Sequence, residues 1–357
     1  MDKQLLETYS DYLMSSFSYT TATGLSILSE GKISHDKITR FLSSEDFTPS
    51  KLWHLVKPTV RKIQNEEVVI IIDDTIEEKP STDENEIICW HFDHTKGTTV
   101  KGVNIISALY YSNGFRVPVS FEIVKKTKTV IDKKTNKEKR ISEQTKNDQY
   151  RQLVKVCNNN NIPFKYVLND VWYASTENMR LIKEELQKDF IMPIKSNRKI
   201  AESQRNKLNG KYVTVSMLDF KENTTKVVYL EGISFPVLLI KEVFKNVDGS
   251  EGVLYLISSD LTITYDNIAA IYQKRWKVEE YHKSLKQQVG LAKSPTKRVR
   301  TQSNHIFASI YSFFKLEYLS LKAELNSTAL RTKLYLAANR AALAELENLK
   351  VAFAMKF

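Results

Sequence analysis

Three carboxylates in this sequence sit where chemistry could be done. Val68-Val69-Ile70-Ile71-Ile72 is a continuous β-branched run, the pattern of a strand buried on both faces, and Asp73-Asp74-Thr75 follows it at once. A second strand candidate, Lys165 to Leu168, is followed by Asn169-Asp170. A carboxylate directly after a buried strand is held on a rigid element, at the edge where open α/β sheets form their sites. Two such aspartates suit a hard, oxygen-liganded cation, Mg²⁺ or Mn²⁺. The plain alternative is a pair of ordinary turn or cap aspartates.

The third carboxylate lies in residues 272–286, YQKRWKVEEYHKSLK. Treated as one helix at about 100° per residue with Tyr272 at 0°, Arg275 falls near −60°, Glu279 near −20°, Lys283 near +20° and Lys286 near −40°. One face then carries a tyrosine, an arginine, a glutamate and two lysines, beside an apolar stripe of Ile271, Val278 and Leu285. A single carboxylate among cations fits metal plus phosphate. Glu279 would complete the cation site, and Tyr272, Arg275, Lys283 and Lys286 would face a nucleic-acid backbone. A ladder of ion pairs, Arg275 to Glu279 to Lys283, accounts for the same spacing without function.

The elements needed to position these residues are legible in outline. Residues 1–63 read helical, as short helices with tight turns compatible with a helix-turn-helix-like DNA-binding module. From Glu66 the pattern becomes strand-like. Strands are predicted near Val103 to Tyr111, Val117 to Val124 and Phe190 to Ile194, with helices over Glu143 to Asn158 and Thr176 to Gln187. That order predicts a mixed α/β sheet with helices on both faces. Residues 200–258 read as strands joined by Asn209-Gly210 and Asp248-Gly249 turns, hence an all-β insertion. After Asp260 the chain reads helical to its end. The expected division is 1–63, a core of 64–199 and 259–300 interrupted by 200–258, and a helical 301–357 with a possible dimerisation role.

Composition bounds the function classes. Hydrophobic residues are 42% of the chain, which is globular rather than disordered. Two cysteines exclude a disulfide framework and a four-thiolate zinc site. No apolar run reaches the ~18–20 residues of a membrane span. The opening Met1-Asp2-Lys3-Gln4 carries no signal-peptide pattern, so a cytoplasmic, nucleoid-associated protein is expected. The formal charge of +11 is concentrated: residues 122–140, 195–211 and 269–300 carry +5, +5 and +7, and the rest is net negative. Collected cations predict a polyanion partner. Lys195, Arg198 and Lys199 open one such segment, read as a DNA-contacting loop. His91, Asp93 and His94 could be read as zinc ligands together with Cys89, but strand alternation puts the two histidines on opposite faces. The His94–Gly97 run reads better as a turn or a DNA approach.

Tyr272-x2-Arg275-x3-Glu279-x6-Lys286 resembles the Y-R-E-K signature of DDE transposases of bacterial insertion sequences, the insertion-sequence-four type. The surrounding string RWKVEEYHKSLK is similar as well. Asp73-Asp74-Thr75 resembles the first catalytic motif of that group and Leu168-Asn169-Asp170-Val171-Trp172-Tyr173 the second; 97 residues separate Asp73 from Asp170, and 109 separate Asp170 from Glu279. The resemblance covers about residues 66–290. It implies an RNase H-like (retroviral-integrase-like) catalytic core whose metal triad is Asp73, Asp170 and Glu279, holding two Mg²⁺ with Mn²⁺ as substitute. Asp74 and Glu280 are the adjacent alternatives. It further implies cut-and-paste transposition on double-stranded DNA, with terminal inverted repeats and target DNA as partners and a homodimer in the synaptic complex. Relatives stack a flipped base on an aromatic of the β insertion during hairpin formation. All four tryptophans here lie outside 200–258, leaving Tyr212, Phe220, Tyr229, Phe235, Phe244 or Tyr255 for that role. A catalytically inactive DNA-binding repressor and a structure-selective nuclease are the rival readings.

Overall fold

The computed structural model describes residues 1–65, 68–94, 96–133, 136–221, 223–245 and 248–354, with residues 353 and 354 by backbone alone. Glu66, where the sequence pattern changes, and Thr95, within the His94–Gly97 run, lie outside the described residues.

The chain begins with α1 (Lys3–Ser15), α2 (Ala22–Leu28), α3 (His35–Ser43) and α4 (Pro49–Ile63). Strands β1 (Val69–Glu78), β2 (Cys89–Asp93), β3 (Thr98–Ser112) and β4 (Phe115–Ile123) follow, then β5 (Lys128–Ile131) and β6 (Glu138–Ile141). Next come α5 (Lys146–Asn159), β7 (Tyr166–Leu168), α6 (Thr176–Arg180) and β8 (Asp189–Ile194). Then follow β9 (Lys199–Ala201), α7 (Gln204–Leu208), β10 (Val213–Thr214), β11 (Lys226–Leu230), β12 (Val237–Lys245) and β13 (Glu251–Ser258). Helices α8 (Tyr265–Gln273), α9 (Trp276–Gln287), α10 (Val299–Lys322) and α11 (Ser327–Ala354) come last. Among the described residues no helix is long and apolar enough to cross a membrane.

Two compact units result. One comprises Met1–Leu52, Ser81–Asp83 and Tyr281–Phe357, the other Trp53–Pro80 and Glu84–Glu280. In the helical unit, α10 is the central element. It packs on α1, α3 and α11. Buried Phe307, Ile310 and Phe313 supply its apolar contacts, and the Tyr9 hydroxyl meets His305 Nδ1 at 3.0 Å.

The second unit is a mixed α/β structure built on one large sheet of order β10-β9-β11-β12-β13-β8-β7-β1-β3-β2, with β4 on β3. Val69, Ile70, Ile71 and Ile72 are fully buried, as the β-branched run requires. Burial of each side chain contributes roughly 1.5–3 kcal/mol. β1 pairs parallel to β7 and β7 parallel to β8, while β3 runs antiparallel along the whole of β1. At Gly102 a Cβ would lie 2.3 Å from the Glu77 carbonyl oxygen, so this crossing requires glycine.

Three local expectations are corrected. β1 does not end at Asp73 but runs on to Glu78, because β3 continues to pair with it through Glu77↔Val103 and Glu78↔Gly102. Residues 200–258 are not purely β. They include α7, capped by the Ser203 hydroxyl and closed by Gly210 at φ +63°, and β13 pairs with β8 so that these strands extend the main sheet. Residues 272–286 are not one helix: α8 ends at Gln273 and α9 starts at Trp276. Between them Arg275 N–H donates to Tyr272 C=O and Val278 N–H to Arg275 C=O, the tighter three-residue pattern.

Candidate active site

The parallel pairing of β1 with β7 sets the geometry. Ile71 is in register with Leu168, so Asp73 and Asp170 each stand two residues beyond that pair, at one end of the paired segment. β8 runs parallel to β7, so Lys195, directly after it, leaves the sheet at the same end. The parallel β1–β7 ladder ends where the carboxylates begin, and open sheets leave room for a ligand there.

Asp73 is buried. One of its carboxylate oxygens lies within 4.8 Å of one of Glu279's. Glu279 is in the first turn of α9, where the helix dipole favours negative charge. The break before α9 thus turns a mid-helix residue into an N-terminal one. Burial drives the Asp73 carboxyl well above the ordinary carboxylate range, and the neighbouring charges of Asp170, Asp74 and Glu279 push it further up. Asp170 is raised too, chiefly by burial, although its carboxylate accepts the Trp172 N–H at 2.9 Å. Asp73 and Glu279, with the charge of Asp170 acting on Asp73 and one arginine among them, are oxygen donors of the kind a hard divalent ion neutralises. The residues fit such an ion.

Arg275 is the cation of this centre. Its guanidinium lies 3.4 Å from a Glu279 oxygen and 4.0 Å from an Asp73 oxygen. The expected Arg275–Glu279 ion pair is present, yet the same arginine also reaches the carboxylate cluster. The Tyr272 hydroxyl donates to the Asn169 carbonyl at 3.5 Å, bracing the turn that carries Asp170.

Asp74 and Glu280 are engaged elsewhere. Asp74 Oδ2 accepts from Lys146 Nζ at 2.6 Å and from Asn104 Nδ2 at 2.9 Å, and Oδ1 accepts from the Tyr173 hydroxyl at 2.6 Å. Burial alone would raise its pKa, but Lys146 and these donors hold it below the usual value. Glu280 pairs with Arg116 at 2.9 Å and Lys277 at 2.7 Å. Reading the sequence missed Lys146, Asn104 and Tyr150, and gave Tyr173 no role beyond its place in the second motif. Tyr173 stacks on Tyr150, with centroids 5.1 Å apart, and the Tyr150 hydroxyl donates to Asn169 Oδ1 at 2.7 Å. No spacing rule links residues on α5, β3 and the 171–173 turn; only the alternation of Asp73 and Asp74 hinted that one of them needed other partners.

The remaining candidates are more dispersed. Lys195 and Lys199 are exposed and Arg198 is half-buried, and the expected loop contains β9 and α7. Lys283 is exposed and Lys286 half-buried on later turns of α9, which fall in the helical unit. Of the six aromatics considered for stacking, Phe244 is 49% exposed and Tyr255 is buried; the others are intermediate. Cys89 and His91 are buried 3.6 Å apart, whereas His94 packs on Phe92 and Trp172, so the three do not converge.

A family model described as DDE superfamily endonuclease matches residues 2–212, more than half of the chain. Asp73 and Asp170 fall inside the matched residues and Glu279 outside them. Comparison with curated proteins finds no match.

Proposed function

Because the chain belongs to the DDE superfamily of endonucleases, we propose that it is a DNA transposase of an insertion sequence, built on an RNase H-like core. It binds terminal inverted repeats and carries out metal-dependent phosphodiester hydrolysis and strand transfer. The observation that carries this reading is the approach of Asp73 and Glu279 within 4.8 Å at the sheet edge where Asp170 stands in equivalent register.

Asp73, Asp170 and Glu279 would hold two divalent ions, Mg²⁺ or Mn²⁺, which supply activation of the attacking oxygen and stabilisation of the leaving one. The chain's own groups do the rest. Arg275, already beside two of the carboxylates, offers a fixed guanidinium to a phosphate oxygen. Tyr272 and the Tyr173–Tyr150–Asn169 contacts hold the Asp170 turn against displacement. Lys283 and Lys286, with Lys195, Arg198 and Lys199, supply phosphate contacts along the duplex. Attack by water and then by a DNA 3′-hydroxyl requires no covalent protein–DNA intermediate, so no nucleophilic side chain is needed. Joining two ends calls for two copies of the chain in the synaptic complex.

The test is incubation of the purified protein with DNA spanning the boundaries of its own gene, with and without Mg²⁺ or Mn²⁺, beside Asp170→Asn. Metal-dependent cutting at repeat ends is expected, with the variant still binding the ends but cutting at least 1,000-fold more slowly, in line with loss of about 4 kcal/mol of transition-state stabilisation. Binding without cutting in either metal would mark a repressor instead. Cutting retained by the variant would remove Asp170 from the centre.

A further inference from the structure

A row of aromatic rings leads up to Asp170 that the proposed chemistry does not use. β2 buries Cys89 and His91 and turns Trp90 and Phe92 outward, each 51% exposed. The Phe92 ring meets the exposed His94 at 4.9 Å between centroids, and His94 meets Trp172 at 4.7 Å. Trp172 is itself 47% exposed, and its backbone N–H is the one bonded to Asp170.

The other end of the row lies beside a chain segment rich in lysine and arginine. Trp90 lines a cavity of about 430 Å³ together with Thr99, the bases Lys137, Lys139 and Arg140 and the acids Glu84, Asp132 and Glu138. Lys101 Nζ lies 5.9 Å from the centre of the Trp90 ring. Between residues 125 and 140 the described chain carries seven lysines and arginines against Asp132 and Glu138. Their ion pairs are loose and exposed: Lys139–Asp132 at 3.8 Å, Arg140–Glu84 at 3.7 Å and Lys128–Glu143 at 3.7 Å.

Exposed rings in sequence, beside a segment with a net excess of lysine and arginine, match unpaired nucleotides. Each base presents a face to stack, and each linking phosphate presents a charge. A duplex keeps its bases stacked on one another and offers these rings nothing. We propose that Trp90, Phe92, His94 and Trp172 form a binding track for a single-stranded DNA segment, running from the β5–β6 hairpin to the carboxylate centre. The proposal rests on the reading that this protein acts on DNA. It makes the substrate at the centre a strand locally freed from its complement.

The experiment uses the full chain and fluorescence anisotropy with a labelled dT12 strand, alone and annealed to dA12. In the Trp90→Ala/Phe92→Ala variant, dT12 binding is expected to weaken at least tenfold while duplex binding changes less than about twofold, since the cations remain. Trp90→Phe should retain most of the dT12 affinity but lose part of the tryptophan quenching that dT12 causes in the wild type. Equal weakening on both DNAs, an unchanged dT12 affinity, or the absence of quenching would overturn the track and leave duplex binding standing. A wild type that binds neither DNA would overturn the DNA reading itself.

Discussion

Successive residues of a strand face opposite sides, and for Asp73 and Asp74 that difference becomes a difference in charge balance. Asp74 meets Lys146, Asn104 and Tyr173, while Asp73 meets other carboxylates. Asp73's raised pKa has a definite consequence for stability. Protonation of Asp73 stabilises the fold at low pH, and that contribution is lost as pH rises from the ordinary carboxylate range through its raised folded value. The melting temperature of metal-free wild type should therefore fall relative to that of Asp73→Asn between pH 5 and pH 8, leaving the variant roughly 2–5 °C higher at pH 8. Added Mn²⁺ should raise the wild-type melting temperature at pH 8 and leave the variant almost unmoved. Parallel pH curves for the two proteins would contradict this. Lys146→Met should cost about 3 kcal/mol in urea unfolding, because it leaves Asp74 charged and part-buried without its cation. Combining it with Asp74→Asn should return more than about 1 kcal/mol; simple additivity would show that the pair is not coupled.

At the scale of elements, three junctions make the site. The end of β7 and the adjoining stretch of β1 align two carboxylates by register. The three-residue turn between α8 and α9 brings Glu279 to a helix N-terminus and leaves Arg275 beside it. The close β1–β3 approach at Gly102 lets the two strands stay paired beyond Asp73. Gly102→Ala would press a methyl group into the Glu77 carbonyl and should destabilise the second unit by about 1–3 kcal/mol, read as a lower urea midpoint. An unchanged midpoint would mean that β1 and β3 separate there at little cost. These junctions explain the limits of pattern reading. Asp-Asp-Thr resembles a strand end because its residues are polar, yet β3 supplies partners through Glu78. The helix from Tyr272 to Lys286 has no glycine or proline to announce its break. Residues 200–258 alternate well enough to hide a five-residue helix.

Over the whole molecule, the charge of +11 and its three concentrated segments favour a polyanion. Binding to duplex DNA should fall steeply with salt, and Lys286→Ala should lessen the log–log slope by about 0.9. A slope unaltered by that change would place Lys286 away from phosphate. The family match implies DNA as the substrate class, and the charge distribution suits a polyanion.

By itself the sequence determined the candidate carboxylates and cations, the alternation of strands and helices around them and the concentration of positive charge. Each of these depends on residue type and short-range periodicity, which the chain carries locally. Only the tertiary structure showed that Asp73 faces other carboxylates while Asp74 is held by Lys146, and that Glu280 pairs with Arg116 and Lys277 while Glu279 shares Arg275 with Asp73. Only it brought Lys146, Tyr150 and Tyr173 to the site, and it alone aligned the aromatic row of β2 with Trp172. Those outcomes depend on strand register and on contacts between residues as far apart as Asp74 and Tyr173, which no local pattern encodes.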